Sequence, residues 1–110
     1  MPAKNFWLRK KQLVKKVILE GKTIVANDFS IKILRNNFSY PRFCVIAPKK
    51  IFKKAVERNK AKRRTKEMIR KVLPQLSFNY DIIVFPKKEV LNKKFENLLE
   101  EIRELLKTIN

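Results

Sequence analysis

The 110-residue chain contains no histidine, one cysteine and one glycine. Each absence removes a class of chemistry. Without histidine, the usual general base near neutral pH and the commonest metal ligand are both missing. Cys44 alone makes neither an internal disulfide nor a cysteine-rich zinc site, which fits a reducing, cytoplasmic setting. The single Gly21 excludes glycine-rich phosphate loops of the Walker and Rossmann kinds. No apolar run approaches the roughly 20 residues of a membrane span, so no membrane partner is expected. The basic opening MPAKNFWLRKK leads into neither an unbroken apolar core nor a small-residue cleavage site, so a signal peptide is not expected.

Acid is scarce as well. Ten Asp and Glu face 28 Lys and Arg, for a formal net charge of +18. Self-repulsion on that scale weakens an isolated compact state and points to a polyanionic partner, nucleic acid first. Hydrophobic residues nevertheless make up 45% of the chain, ordinary for a globular protein. One domain over 1–110 with one core is the expectation, with no repeat or low-complexity linker.

The stretch from Lys49 to Lys71 organises the rest. A dozen of its residues are cations, set against Glu57 and Glu67 alone. It is not a disordered basic tail, because Ala55, Val56, Ala61, Thr65, Met68, Ile69, Val72 and Leu73 recur at helical spacings. At about 100° per residue, Asn59, Arg63, Lys66 and Arg70 share one stripe, with Arg58 and Lys62 beside it. A rigid rod with cations about 5–6 Å apart suits a row of phosphates. The alternative reading of Asn59 is a hydrogen bond within its own helix.

In chain order, residues 1–9 read as an arm whose Phe6, Trp7 and Leu8 tuck against the body. Arg9 to Glu20 is helical, with Leu13, Val14, Val17 and Ile18 on one face and lysines away from it, either solvated or touching RNA. Gly21 sits where a left-handed residue would end that helix. Thr23–Ala26 is a short strand, and Phe29–Leu34 alternates more clearly. Asn36, Asn37 and Ser39 mark a turn before Pro41. Arg42–Ala47 has apolar residues on both faces, which suggests a central strand ending at Pro48. The basic helix spans about Lys53 to Leu73 and Pro74 stops it. Tyr80–Phe85 is another buried strand, and its ending Pro86-Lys87-Lys88 echoes Pro48-Lys49-Lys50. Asn92 is a candidate N-cap for a last helix carrying an apolar stripe from Phe95 to Ile109. Glu96, Glu100, Glu101 and Glu104 line its other side, so this helix is expected to pack the core and face away from the polyanion.

The expected fold is a single-domain α/β sandwich, a small four-stranded sheet with helices packed on it in the order α-β-β-β-α-β-α. The helical crossover between Arg42 and Phe85 makes the two strands that it joins parallel. Asp81 starts a strand and reads as a turn residue rather than a metal ligand. Phe29 and Phe43 read as core residues ahead of the alternative, base stacking.

Three segments together resemble the protein subunit of bacterial ribonuclease P. They are Arg42 through Lys50, Ala55 through Arg63, and Tyr80 through Val84. The shared pattern is a strand ending in a lysine pair, a helix with an Arg-Asn-Arg motif and basic run, and a later Asp-initiated apolar strand. Gly21-Lys22 after a first helix also matches, and the similarity spans roughly residues 8–106. Lys60 replaces the second arginine of the motif, keeping charge without the planar fork. Cys44 stands where glycine is common, and Lys50 to Ala55 holds one extra residue. Val14 and Ile18 occupy positions that are often aromatic.

The resemblance implies a left-handed strand–helix–strand crossover, against the general rule. It implies a ribonucleoprotein that removes the 5′ leader of precursor tRNA, in which the RNA subunit catalyses with Mg²⁺ and the protein assists. It sets Arg58, Asn59, Lys60, Lys62, Arg63, Lys66 and Arg70 against the catalytic RNA. It also lays the single-stranded leader in a cleft near Val14, Ile18, Phe29, Lys32 and Phe43, with Lys49, Lys50, Lys87 and Lys88 at the strand ends. No obligate protein partner is implied. A structural RNA-binding protein, such as a ribosomal component, is the alternative. A self-sufficient nuclease is disfavoured, since no histidine or carboxylate cluster supplies a base or a two-metal site.

Overall fold

A computed structural model describes residues 6–75 and 79–109. The elements are α1 (Lys11–Glu20), β1 (Lys22–Val25), β2 (Phe29–Arg35), β3 (Arg42–Val45), α2 (Ala55–Val72), β4 (Tyr80–Pro86) and α3 (Phe95–Lys107). Short 3-10 turns at Leu73–Gln75 and Lys88–Leu91 close α2 and precede α3. This is the expected order, with three helices on a four-stranded mixed sheet.

The strands lie in the order β1-β2-β4-β3. β2 runs antiparallel to β4 from Phe29↔Pro86 to Arg35↔Tyr80, while β3 runs parallel to it from Arg42↔Asp81 to Val45↔Val84. β4 is therefore flanked on both sides, and Ile82, Ile83 and Val84 are all fully buried. β3 is the last strand in that order, not a central one. Its outer edge is met by the N-terminal arm: the Leu8 N–H donates to the Phe43 carbonyl (2.6 Å) and the Phe43 N–H to the Phe6 carbonyl (2.7 Å). Apolar residues on both faces of a strand report that the faces are covered, and say nothing about its edge.

Alternation divides the sheet into two sides. Phe29, Ile31, Phe43, Val45, Ile82 and Val84 join Ala61, Met68 and Ile69 of α2 and Leu98, Ile102 and Leu106 of α3 in the main core. Phe29, Phe43 and Phe52 are wholly buried, and each such side chain contributes about 1.5–3 kcal/mol. On the other side, Leu8, Val17 and Ile83 make a smaller cluster under α1.

Two helix ends differ from the sequence reading. Gly21 is extended, at φ −75° and ψ 159°, with its N–H donating to the Val17 carbonyl at 2.8 Å. A Cβ there would meet the Val17 carbonyl oxygen at 2.5 Å and that of Ile33 at 2.8 Å. The glycine permits close approach of α1 to β2, rather than a left-handed turn. Asn92 does not cap α3; it follows the 3-10 turn, and Lys94 stands at the helix start without a side-chain cap. The tie of Lys93 to Asp28 at 2.9 Å holds that segment outside the helix.

Candidate nucleic-acid interface

α2 is built from strong helix formers, with Glu57 in its first turn and Arg70 and Lys71 in its last, as the helix dipole favours. Ala61, Thr65, Met68, Ile69 and Val72 turn inward. Asn59, Lys62, Arg63 and Arg70 are exposed and Lys66 is half-buried, and these five share the outward stripe. The Trp7 ring lies against that stripe, with Lys66 Nζ and Arg70 Cζ each 5.5 Å from its centre. Glu67 pairs with Arg70 at 3.1 Å, an exposed contact of little energetic weight.

Two predicted residues stand apart from the stripe. Arg58 Nη1 donates to the carbonyls of Phe52 (2.9 Å) and Lys53 (3.2 Å), clamping the turn before α2. Lys60 is half-buried and about 100° round the helix from Asn59, on the flank of Arg64. Arg64 faces α3: its Nη2 donates to the Lys93 carbonyl at 2.8 Å and its guanidinium lies over Phe95. Among the described residues no ion pair joins α2 to a carboxylate of α3, so the acids of α3 leave the stripe unneutralised.

α1 covers only part of its side of the sheet. Lys32, Cys44, Ile46 and Phe85 remain half-buried there, beside half-buried Val14 and Ile18, which is 39% exposed. Phe29 and Phe43 cannot line this cleft, because both are fully buried in the main core on the opposite sheet face. The period of two decides this: Phe29 is three residues from Lys32, and Phe43 is next to Cys44. Cys44, Ile46 and Phe85 are the apolar floor that sequence reasoning missed, and the strand alternation was the signal that would have found them.

The parallel register of β3 and β4 brings Lys49–Lys50 and Lys87–Lys88 to the same end of the sheet. Lys49, Lys50 and Lys88 are exposed, whereas Lys87 Nζ donates to the Ala26 carbonyl at 2.7 Å. The cleft also meets the α2 stripe. Burial pushes the Cys44 thiol up, against the opposing pull of the Lys66 and Lys62 charges. Trp7, Arg9, Cys44, Lys66 and Arg70 share one hollow of about 270 Å³.

The buried carboxylates do not fit a Mg²⁺ site. Asp81 Oδ1 accepts from Arg42 Nε (2.8 Å) and Asn36 Nδ2 (2.9 Å), and its Oδ2 accepts from Arg42 Nη2 (2.8 Å). Asp28 is held by Lys93. Among the described residues no helix is long and apolar enough to cross a membrane.

A family model described as Ribonuclease P matches residues 1–110. The ribonuclease P protein component of Thermotoga maritima is 32% identical over 98 residues, covering 84% of this chain and 82% of that protein. That of Petrotoga mobilis is 35% identical over 91 residues, covering 83% and 75%. The solved RNase P protein from Thermotoga maritima superposes with a TM-score of 0.84 at 29% identity, over 94% of this chain and 97% of that one. The Staphylococcus aureus RNase P protein shares the fold, with a TM-score of 0.79 at 22% identity and 97% coverage of each chain. With the family pattern running its whole length on the same sheet and helices, this chain belongs to the bacterial ribonuclease P protein component family, a subunit of the ribonuclease P holoenzyme.

Proposed function

We propose that this chain binds the catalytic RNA of ribonuclease P through the outward stripe of α2 and receives the 5′ leader of precursor tRNA in the cleft beside α1. The observation that carries the reading is the one-sidedness of α2: Asn59, Lys62, Arg63, Lys66 and Arg70 face out together while the acids of α3 lie elsewhere. Contacts of cations with phosphates position a folded RNA without reading its sequence. A groove of half-buried Val14, Ile46 and Phe85 rimmed by Lys32, Lys49 and Lys50 combines apolar platforms with cations, as single strands require. Mg²⁺ is held mainly by the RNA subunit and the substrate, because the two buried carboxylates, Asp28 and Asp81, are engaged internally. The working location is the cytoplasm, where precursor tRNA is found with a reduced Cys44.

Reconstitution tests this directly. Added to a bacterial ribonuclease P RNA at low Mg²⁺, the chain should raise precursor-tRNA cleavage, and more for substrates with a leader than for substrates without one. Tight RNA binding with no gain in cleavage would move the chain to the structural RNA-binding reading. Equal gains with and without a leader would remove the cleft from it.

A further inference from the structure

A second hollow, of about 360 Å³, lies at the other end of the sheet, between the first half of α1 and the turn joining β2 to β3. Its walls carry Lys10 and Lys16 from α1, Arg35 from the end of β2, and Phe38 and Arg42 from the turn and β3. At roughly 3.3 Å per residue, the seven residues of β4 put about 20 Å between this hollow and the lysine pairs at the opposite strand ends. It is thus separate from the cleft floor at Ile46 and Phe85.

The turn is held in one shape. Asn36 is buried; its Oδ1 accepts the Phe38 N–H at 2.9 Å, and its Nδ2 donates to Asp81 Oδ1 at 2.9 Å and to the Tyr40 carbonyl at 3.3 Å. One face of the Phe38 ring rests on Arg42, whose Cζ is 4.5 Å from the ring centre. Both Asp81 oxygens grip one edge of that guanidinium at 2.8 Å, so Arg42 is a fixed support with its charge already answered. Phe38 nevertheless remains 43% exposed. Lys10, Lys16 and Arg35 have no ion pair among the described residues, so the hollow is cationic around an apolar platform.

We infer that this hollow is a nucleotide-binding site for single-stranded RNA, in which one unstacked base lies on the outer face of Phe38 and the flanking phosphates meet Lys10, Lys16 and Arg35. Every base has a π-face, so the site accepts any sequence, and the braced ring spends little entropy on receiving it. An acidic peptide would satisfy the cations but would leave the exposed face of the ring uncovered, Arg42 and Tyr40 already lying against the rest. The inference goes beyond the assignments of RNA subunit and leader, and requires only that RNA is the polyanion.

The test uses the full chain and fluorescence anisotropy with an unstructured, uridine-rich RNA oligonucleotide. Phe38→Ala should weaken binding about fivefold or more, the ratio expected for one lost stack. Phe38→Trp should bind at least as tightly as the parent chain. Lys16→Ala should lower the log–log salt slope by about 0.7, one phosphate contact on a single strand. Thermal melts confirm that each variant is folded, and Phe38→Leu, which keeps an apolar side chain without a ring, should behave like Phe38→Ala. Binding by Phe38→Leu equal to the parent chain would overturn the stacking site. So would equal losses for RNA and for polyglutamate, or no binding of the oligonucleotide by the parent chain. Affinity for ribonuclease P RNA should stay within a factor of about two in Phe38→Ala, because α2 carries that contact; a parent chain that fails to bind ribonuclease P RNA while passing the oligonucleotide test defeats the family-based proposal alone.

Discussion

Gly21 is the position least able to accept a side chain. The carbonyl oxygens of Val17 and Ile33 that would meet a Cβ are backbone atoms and cannot rotate away. Gly21→Ala therefore has to push α1 off β2, and its stability in urea melts should fall by about 1–3 kcal/mol. A loss below a few tenths would mean that the backbone relaxes freely there. Thr65 is the opposite case. It is fully buried on α2 and its Oγ1 has no partner among the described residues. Valine keeps the shape and removes the hydroxyl, so Thr65→Val should raise stability by about 1 kcal/mol. A loss of stability would show that the hydroxyl is satisfied in solution.

At the level of elements, the turn between β1 and β2 is tied to α3. The Asp28 N–H donates to Glu101 Oε2 at 2.6 Å, and Lys93 Nζ reaches both Asp28 oxygens at 2.9 Å. Burial alone would raise the Asp28 carboxyl, yet hydrogen bonds with Glu101 and Lys93 hold it below the usual carboxylate range. Glu101 is pushed up, by burial first and then by the hydrogen bond of its carboxyl with the Asp28 carboxylate, against the opposing pull of the Asp28 N–H. The two carboxyls act on stability in opposite directions. The contribution of Asp28 is present above its unfolded-state pKa and is lost as pH falls through its lowered folded value. That of Glu101 is complete below its unfolded-state pKa and is lost as pH rises through its raised folded value. Glu101→Gln retains an acceptor for the Asp28 N–H and removes the second titration. Its stability relative to the parent chain should climb between about pH 4 and pH 7, and a difference that stays constant in urea melts across that range would contradict the assignment.

Elements whose residues answer to local rules were legible before the fold was known. β2 alternates, α2 repeats its apolar stripe every three to four residues, and Pro74 ends α2 within two residues of its observed close. What escaped depends on partners distant in the chain. β3 reads as central from its two apolar faces, whereas its outer edge is met by Phe6 and Leu8, thirty-odd residues earlier in the sequence. Asn92 has the chemistry of a cap, but the Lys93–Asp28 tie moves the start of α3 past it. Of the site, the α2 stripe was readable because one helix carries it whole. The cleft was readable only in part, since its floor draws on alternate residues of two strands and the wrong phase points Phe29 and Phe43 into the core.

For the whole molecule, charge is distributed by segment as well as in excess. Half of the ten acids fall between Glu89 and Glu104, whereas a dozen cations fall between Lys49 and Lys71. A net charge of +18 opposes the compact state, so the melting temperature should rise with added salt as the repulsion is screened. A midpoint that does not respond to salt would mean that the repulsion is already answered within the chain. The claim beneath all of this is that one side of α2, and not its charge in bulk, meets the RNA. Adjacent arginines separate the two ideas: Arg63 lies on the exposed stripe and Arg64 is bonded toward α3. The measurement is the affinity of ribonuclease P RNA for Arg63→Ala and Arg64→Ala across a salt series, the two variants having the same net charge. Arg63→Ala should bind more weakly with a log–log slope shallower by about 0.7–0.9, while Arg64→Ala should keep the parent slope and lose thermal stability instead. Equal losses of affinity and slope in the two variants would contradict the account.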